Sequence, residues 1–357
     1  MLSANAFRML LCLTAGASVA SACSEDPPAP GPEAAPATVV ATELGGVPFP
    51  ADNPPSTAKA ELGKLLFWDP ILSGNRDVAC ASCHDPTFGY GDGRTLSIGT
   101  GGLPTRRGAL TVLDAAWNGW TASVPIPDPA QAPMFWDSRV RSLETQARGP
   151  ITTAGEMRGT SFDEATIFVE LVERLNGIPE YVERFTAAFG SPTIDDTVIV
   201  RAIATFERTL VTVPSYERWL AGDDAAMSDA AKRGVDTFRR SGCSRCHSGP
   251  MLSDFSLHRF TRGGEAIRTP SLRHAVQTAP YMNDGRAATL DAVFEIYEHV
   301  DEGADPRFRD LRVPDRGERE DVIAFLHAAS DGAFDRAVPA RVPSGLQVGG
   351  GGRVTPR

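Results

Sequence analysis

The sequence predicts a mainly α-helical chain folded as two similar halves in tandem, joined by long loops, and three observations predict it. A five-residue device occurs twice, CASCH at residues 80–84 and CSRCH at residues 243–247. Upstream of each lies an amphipathic segment with the same punctuation: Gly63 stands four residues before Phe67 in AKAELGKLLFWDP, and Gly234 four before Phe238 in AAKRGVDTFRRSG. Positions four apart share a helix face, so each half is expected to pack a Gly and a Phe beside its five-residue device. Few other stretches alternate as strands do, whereas several carry the helical period.

Along the chain, residues 1–23 carry one Arg, an apolar stretch around residues 9–13 and small residues before Cys23. This reads as a secretion signal, too short and too weakly apolar for a membrane span. VASAC resembles a lipoprotein signal in which Cys23 becomes the lipidated first residue; the alternative is plain cleavage to a soluble protein. Either way the expected location is the periplasm. Residues 24–50 are rich in Pro and Ala and read as a flexible tether, and 338–357 as a tail not expected to be ordered. Between them the chain of 357 residues holds two domains of ordinary size, 51–215 and 216–337. A net charge of −10 gives no sign of nucleic-acid binding.

Within this frame, SFDEATIFVELVERLNG reads as a helix opened by a capping box from Ser161 to Glu164, with Phe168, Leu171, Val172 and Leu175 on one stripe and a stop at Asn176-Gly177. DDTVIVRAIATFERTLV, ATLDAVFEIYEHV and EREDVIAFLHAAS read as further helices.

The duplicated device carries the chemistry. Two thiols three positions apart, followed at once by an imidazole, suit covalent haem c: each thiol adds to a vinyl group and the histidine ligates the iron. Cys80, Cys83, His84, Cys243, Cys246 and His247 would then hold two haems in cytochrome-c-like domains. A zinc knuckle or a redox dithiol is the alternative for one isolated CxxC. A zinc site made of all four cysteines would leave both histidines unexplained. His258, His274, His299 and His327 read as structural histidines.

FWDSRVRSLETQARGPITTAGEM and RTPSLRHAVQTAPYMNDGRAATLDAVFEIYEH, together with the two haem motifs, resemble the bacterial di-haem cytochrome c peroxidases and their relative MauG, including the di-haem enzymes of methanobactin gene clusters. The resemblance covers roughly residues 55–335. It implies that haem 1, on His84, binds hydrogen peroxide, and that haem 2, on His247, stores or relays an oxidising equivalent. By position it makes Trp136 the tryptophan between the haems, Gln146 and Glu156 the polar pair above the peroxide-binding iron, and Pro150 the proline lining that pocket. Heterolysis of the O–O bond requires a proton to move from the inner to the outer oxygen, work suited to the Glu156 carboxyl. The alternatives are a solvated acid at Glu156 and a core aromatic at Trp136.

Two departures from the conventional peroxidases define the expected subtype. Their distal-histidine loop is here LSIGTGG, with Thr100 at the histidine position, so haem 1 is expected to be five-coordinate and open to peroxide without reductive activation. Their methionine ligand of haem 2 is here Tyr297, as in MauG-like enzymes, and a hard phenolate favours the higher oxidation states. The resemblance also implies calcium between the domains, on the carbonyls of Thr278 and Pro280 and an asparagine side chain. Gly108 stands at the asparagine position and cannot supply that oxygen.

The implied function is MauG-like: peroxide builds a high-valent di-haem state that withdraws electrons from an aromatic residue, tryptophan above all, of an exported partner protein. The surface-exit tryptophan of MauG corresponds to Ser241, which makes the methanobactin-type relatives the nearer analogy. A peroxidase that removes hydrogen peroxide with electrons from a small cytochrome or cupredoxin is the alternative, and a plain electron-transfer cytochrome is a third. The loop with Trp117 and Trp120 either packs on its own domain or helps a partner dock.

Overall fold

The computed structural model describes residues 46–124, 127–301 and 303–351; the leader with Cys23, and the tether as far as residue 45, lie outside them. The described residues contain ten α-helices: α1 (Thr57–Trp68), α2 (Cys80–Cys83), α3 (Leu143–Thr152), α4 (Ile167–Asn176), α5 (Pro179–Phe189), α6 (Asp196–Glu207), α7 (Ser215–Leu220), α8 (Asp229–Arg240), α9 (Leu290–Glu298) and α10 (Arg316–Ala328). Strand content is two short antiparallel pairs, β1 (Pro133–Met134) with β2 (Val140–Arg141) and β3 (Leu257–His258) with β4 (Ile267–Arg268). The mainly α expectation therefore holds.

Two principal hydrophobic clusters form. The first draws on α1, α4, α5 and α6, with Leu66, Phe67, Leu171, Phe185 and Phe206 buried; the second draws on α8, α9 and α10, with Phe238, Phe294, Val322 and Phe325 buried. The repeated Gly and Phe make one tertiary contact twice. A Cβ on Gly63 would lie 1.9 Å from the Ala202 carbonyl of α6, and one on Gly234 would lie 2.0 Å from the Asp321 carbonyl of α10. Only a bare α-carbon lets either helix pair approach so closely. One turn later Phe67 meets Phe206 edge-on at 5.2 Å, and Phe238 meets Phe325 at 5.3 Å. The same two rings lie 6.3 Å and 6.4 Å from His84 and His247. Gly63→Ala or Gly234→Ala should each reduce unfolding free energy by about 3 kcal/mol through overpacking. Denaturant titration is the check, and an unchanged midpoint would mean that the helices separate freely.

A third repeated feature joins the halves. Asp114 and His274 both have left-handed backbones, each leading into a single tight turn, and they meet with His274 Nε2 3.0 Å from Asp114 Oδ2. Arg273 Nε donates to the same carboxylate oxygen at 2.7 Å, and both its terminal nitrogens donate to Glu217. Burial alone would raise the Asp114 pKa, but the Arg273 charge and the His274 hydrogen bond hold it well below the usual carboxylate range. This buried network explains His274 as structural.

Three expectations are corrected. The Ser161–Glu164 capping box does not start a helix; residues 161–162 bend, 164–166 form a turn, and α4 begins after Thr166, where the Asp163 carbonyl accepts from Thr166 N and Ile167 N. The tail is ordered over 338–351. Val342 is buried in the first cluster, Ser344 Oγ donates to Asp69 at 2.6 Å, and Gly349 N donates to the Trp68 carbonyl at 2.7 Å. Spaced apolar and hydroxyl residues anchor what composition alone marks as loose. The tether is likewise placed from residue 46: the Pro48 carbonyl accepts from Arg208 Nε, whose guanidinium lies 5.4 Å from the Phe49 ring centroid.

Candidate di-haem active site

Each CxxCH motif forms one helical turn, with His84 N donating to the Cys80 carbonyl and His247 N to the Cys243 carbonyl, both at 3.0 Å. The turn gathers both thiols and the imidazole around one cavity wall. The chain then doubles back through a residue with left-handed backbone, Tyr90 after the first motif and Leu252 after the second. The carbonyls of these residues lie 3.0 Å from His84 Nδ1 and 3.2 Å from His247 Nδ1. With Nδ1–H donating there, Nε2 remains the metal-binding nitrogen, the second-shell arrangement typical of ligating histidines. Burial lowers both imidazole pKa values, that of His247 to about 4, and so keeps the rings neutral.

The four motif thiols are free and lie in two separate cavities, which rules out a zinc site shared among them. The first cavity, of about 550 Å³, is lined by Cys80, Cys83, His84, Gln146, Pro150 and Glu156; the second, of about 220 Å³, by Cys243, Cys246, His247 and Tyr297. Trp136 lines both. It sits in the loop between β1 and β2, where Phe135 and Ser138 take left-handed conformations, and its indole Nε1 donates to the Gly108 carbonyl at 3.0 Å. The structure thus brings these residues together around two cavities, with Trp136 on the wall of both.

The polar pair comes from an interrupted helix. Pro150 has no N–H for the Gln146 carbonyl one turn back, so α3 ends within a turn. The next residues, Ala154–Arg158, widen into a π-helical turn, in which Arg158 N donates to the Thr153 carbonyl and Gly159 N to the Ala154 carbonyl. Such bulges recur at functional sites. This one carries Glu156 to the cavity that Gln146 and Pro150 line from the last turns of α3. Burial raises the Glu156 carboxyl pKa, with Arg139 partly opposing. Glu156 is therefore a desolvated carboxyl whose protonated form burial favours.

Thr100 does not line this cavity. Its hydroxyl donates to Asp77 Oδ1 at 2.7 Å, and Gly101 N donates to the other carboxylate oxygen at 2.7 Å, so the loop that replaces the distal-histidine segment is tied back. In the second cavity Tyr297 lies on α9, 5.4 Å from the Phe260 ring and 6.2 Å from Phe308. His299, two residues on, is exposed and bonds the Glu295 carbonyl through Nδ1. Met282 also lines the second cavity, as do Gly108, Thr278 and Pro280. His258 sits between Asp254 and Asp305, and Asp254 first, then Cys246 and Asp305, push its pKa up to about 10.

Sequence reasoning missed two buried charged groups. Glu207 lines the first cavity, and burial pushes its pKa up to about 8. Arg268 lines both cavities. Glu207 lies on an otherwise apolar helix face, where an acid at a core position was the available signal. Trp117 is buried and packs with Met251 and Phe255, and Trp120 borders the same cluster partly exposed.

A thiol pair and a neutral, oriented histidine on the wall of each cavity fit two covalently attached haems and define a di-haem c-type redox protein. The profile of the family described as di-haem cytochrome c peroxidase matches residues 57–225. The chain is 35% identical to the methylamine utilization protein MauG of Methylophilus methylotrophus, over 82% of this chain and 88% of that protein. It is 33% identical to the cytochrome c551 peroxidase of Pseudomonas aeruginosa, over 81% of this chain and 82% of that protein. Among solved structures it is similar to a MauG-like protein associated with microbial copper homeostasis, with a TM-score of 0.68, 28% identity and coverage of 79% and 92%. The chain belongs to the family of di-haem cytochrome c peroxidases and MauG, oxidoreductases that act with peroxide.

Proposed function

We propose that this enzyme acts as MauG-like proteins do, using hydrogen peroxide to withdraw two electrons from an aromatic residue of an exported partner protein, tryptophan first among them. The observation that carries the reading is the first cavity: Thr100 is bound to Asp77 and, among the described residues, no histidine other than His84 lines it, so an iron held on His84 would be open to peroxide without an activating electron. Glu156 moves the proton, Gln146 orients peroxide by hydrogen bonds, Pro150 closes the pocket, and Trp136 couples the two haems. Tyr297 is the second ligand of haem 2. The haems supply the redox chemistry: one peroxide and one aromatic C–H yield one hydroxylated ring and one water.

Export to the periplasm, with Cys23 lipidated and the chain tethered to a membrane, would bring enzyme and partner together. The domain division 51–215 and 216–337 belongs to the same reading. A calcium ion would rest on the carbonyls of Thr278 and Pro280. The third position weakens that site, because Gly108 has no side chain and its carbonyl accepts from Trp136.

The test is mass spectrometry of candidate exported partners incubated with enzyme and stoichiometric peroxide. One oxygen added at one tryptophan is the expected result. Rapid multiple-turnover oxidation of a reduced c-type cytochrome or cupredoxin, with no partner modified, would replace this reading with peroxide removal. The likeness to cytochrome c551 peroxidases supports that second reading.

A further inference from the structure

Arg268 is 4% exposed, and its terminal guanidinium nitrogens have no carboxylate partner among the described residues. Its backbone N donates to the Trp136 carbonyl at 2.6 Å, and its Nε to the Phe135 carbonyl at 2.8 Å. The stem of Arg268 thus grips the backbone that presents the shared indole, and its head borders both haem cavities. Desolvation, with Arg141 adding repulsion, lowers its pKa to about 10, with Asp137 opposing them. Asp137 is already engaged by Arg107 and Arg139, each at 3.0 Å. Among the described residues its only other charge-stabilising contact is the Phe255 ring, 5.4 Å from the guanidinium carbon, and a buried cation without a counter-charge is unfavourable, so the site calls for an anion delivered from one of the cavities. Haem brings carboxylates on its propionate chains, and a guanidinium fork is matched to a carboxylate.

We infer that Arg268 is a positioning residue that pairs with a haem propionate between the two cavities, fixing Trp136 against both haems and holding their reduction potentials up. This rests on the two-haem reading of the site. A positive charge beside a haem favours its reduced form, and its loss favours the ferric form.

The experiment is potentiometric titration of the haem-loaded protein, native against Arg268→Met and Arg268→Lys, after haem has been counted by pyridine haemochrome. The expected result is two haems in all three. In Arg268→Met, at least one haem should shift about tenfold in its reduction equilibrium towards ferric, about 59 mV for a one-electron couple. Arg268→Lys, which keeps the charge, should stay near the native potentials. Native potentials in Arg268→Met, or the same fall in both variants, would overturn the inference. If Arg268→Met fails to fold, Arg268→Gln takes its place with the same expected fall. Fewer than two haems in the native protein would instead overturn the two-haem reading and leave Arg268 without its proposed anion.

Discussion

Glu156→Gln should slow the reaction with hydrogen peroxide by about 10²-fold or more while both haems stay attached, the size of effect that general acid–base catalysis supplies. The amide keeps the shape of the side chain but cannot accept and return a proton. Stopped-flow mixing with peroxide measures the rate, and an unchanged rate would remove Glu156 from the mechanism. The pH profile gives a second readout. Burial raises the Glu156 pKa, and the ionised form is the one able to accept the proton. The native rate should therefore fall as pH drops through an inflection above the usual carboxylate range. In Glu156→Gln that inflection should be missing.

Tyr297→Met should raise the reduction potential of haem 2 on the order of 0.1 V or more, within the ~0.8 V that axial ligands span. A soft thioether favours the reduced iron, whereas a phenolate favours the oxidised. The same substitution should shorten the lifetime of the two-electron-oxidised protein after peroxide is added, measured by its absorbance decay. Tyr297 is packed against Phe260 and Phe308, which limits how far a replacement side chain can wander. If potential and lifetime both stay native, Tyr297 is not the ligand, and Met282, on the same cavity, becomes the candidate.

Much of the fold was legible because it is local. The stripes of α4, α6, α9 and α10 and the punctuation of α1 and α8 are periodic, and periodicity is what burial of one helix face imposes. The missed features lack a local signature. α3 contains a proline and leads into a π-helical turn, features no helical period announces, and it is held by its Ser142 cap and by packing on α6. The segment 338–351 is rich in Pro and Gly, yet its contacts reach Asp69 and Ser82, more than 250 residues away.

The sequence by itself determined the cofactor chemistry, because CxxCH places two thiols and an imidazole on one helical turn whatever surrounds them. It also determined that the device occurs twice, with a glycine and a phenylalanine serving each copy. Only the tertiary structure decided how the two sites are joined. Trp136 lines both cavities because β1 and β2 hold its loop there, Asp114 meets His274 across 160 residues, and Arg268 grips the Trp136 backbone across more than 130. Such pairings leave no trace in local composition. The low dielectric of the interior decides them, since a buried charge or indole N–H must find its partner wherever the packed chain supplies one.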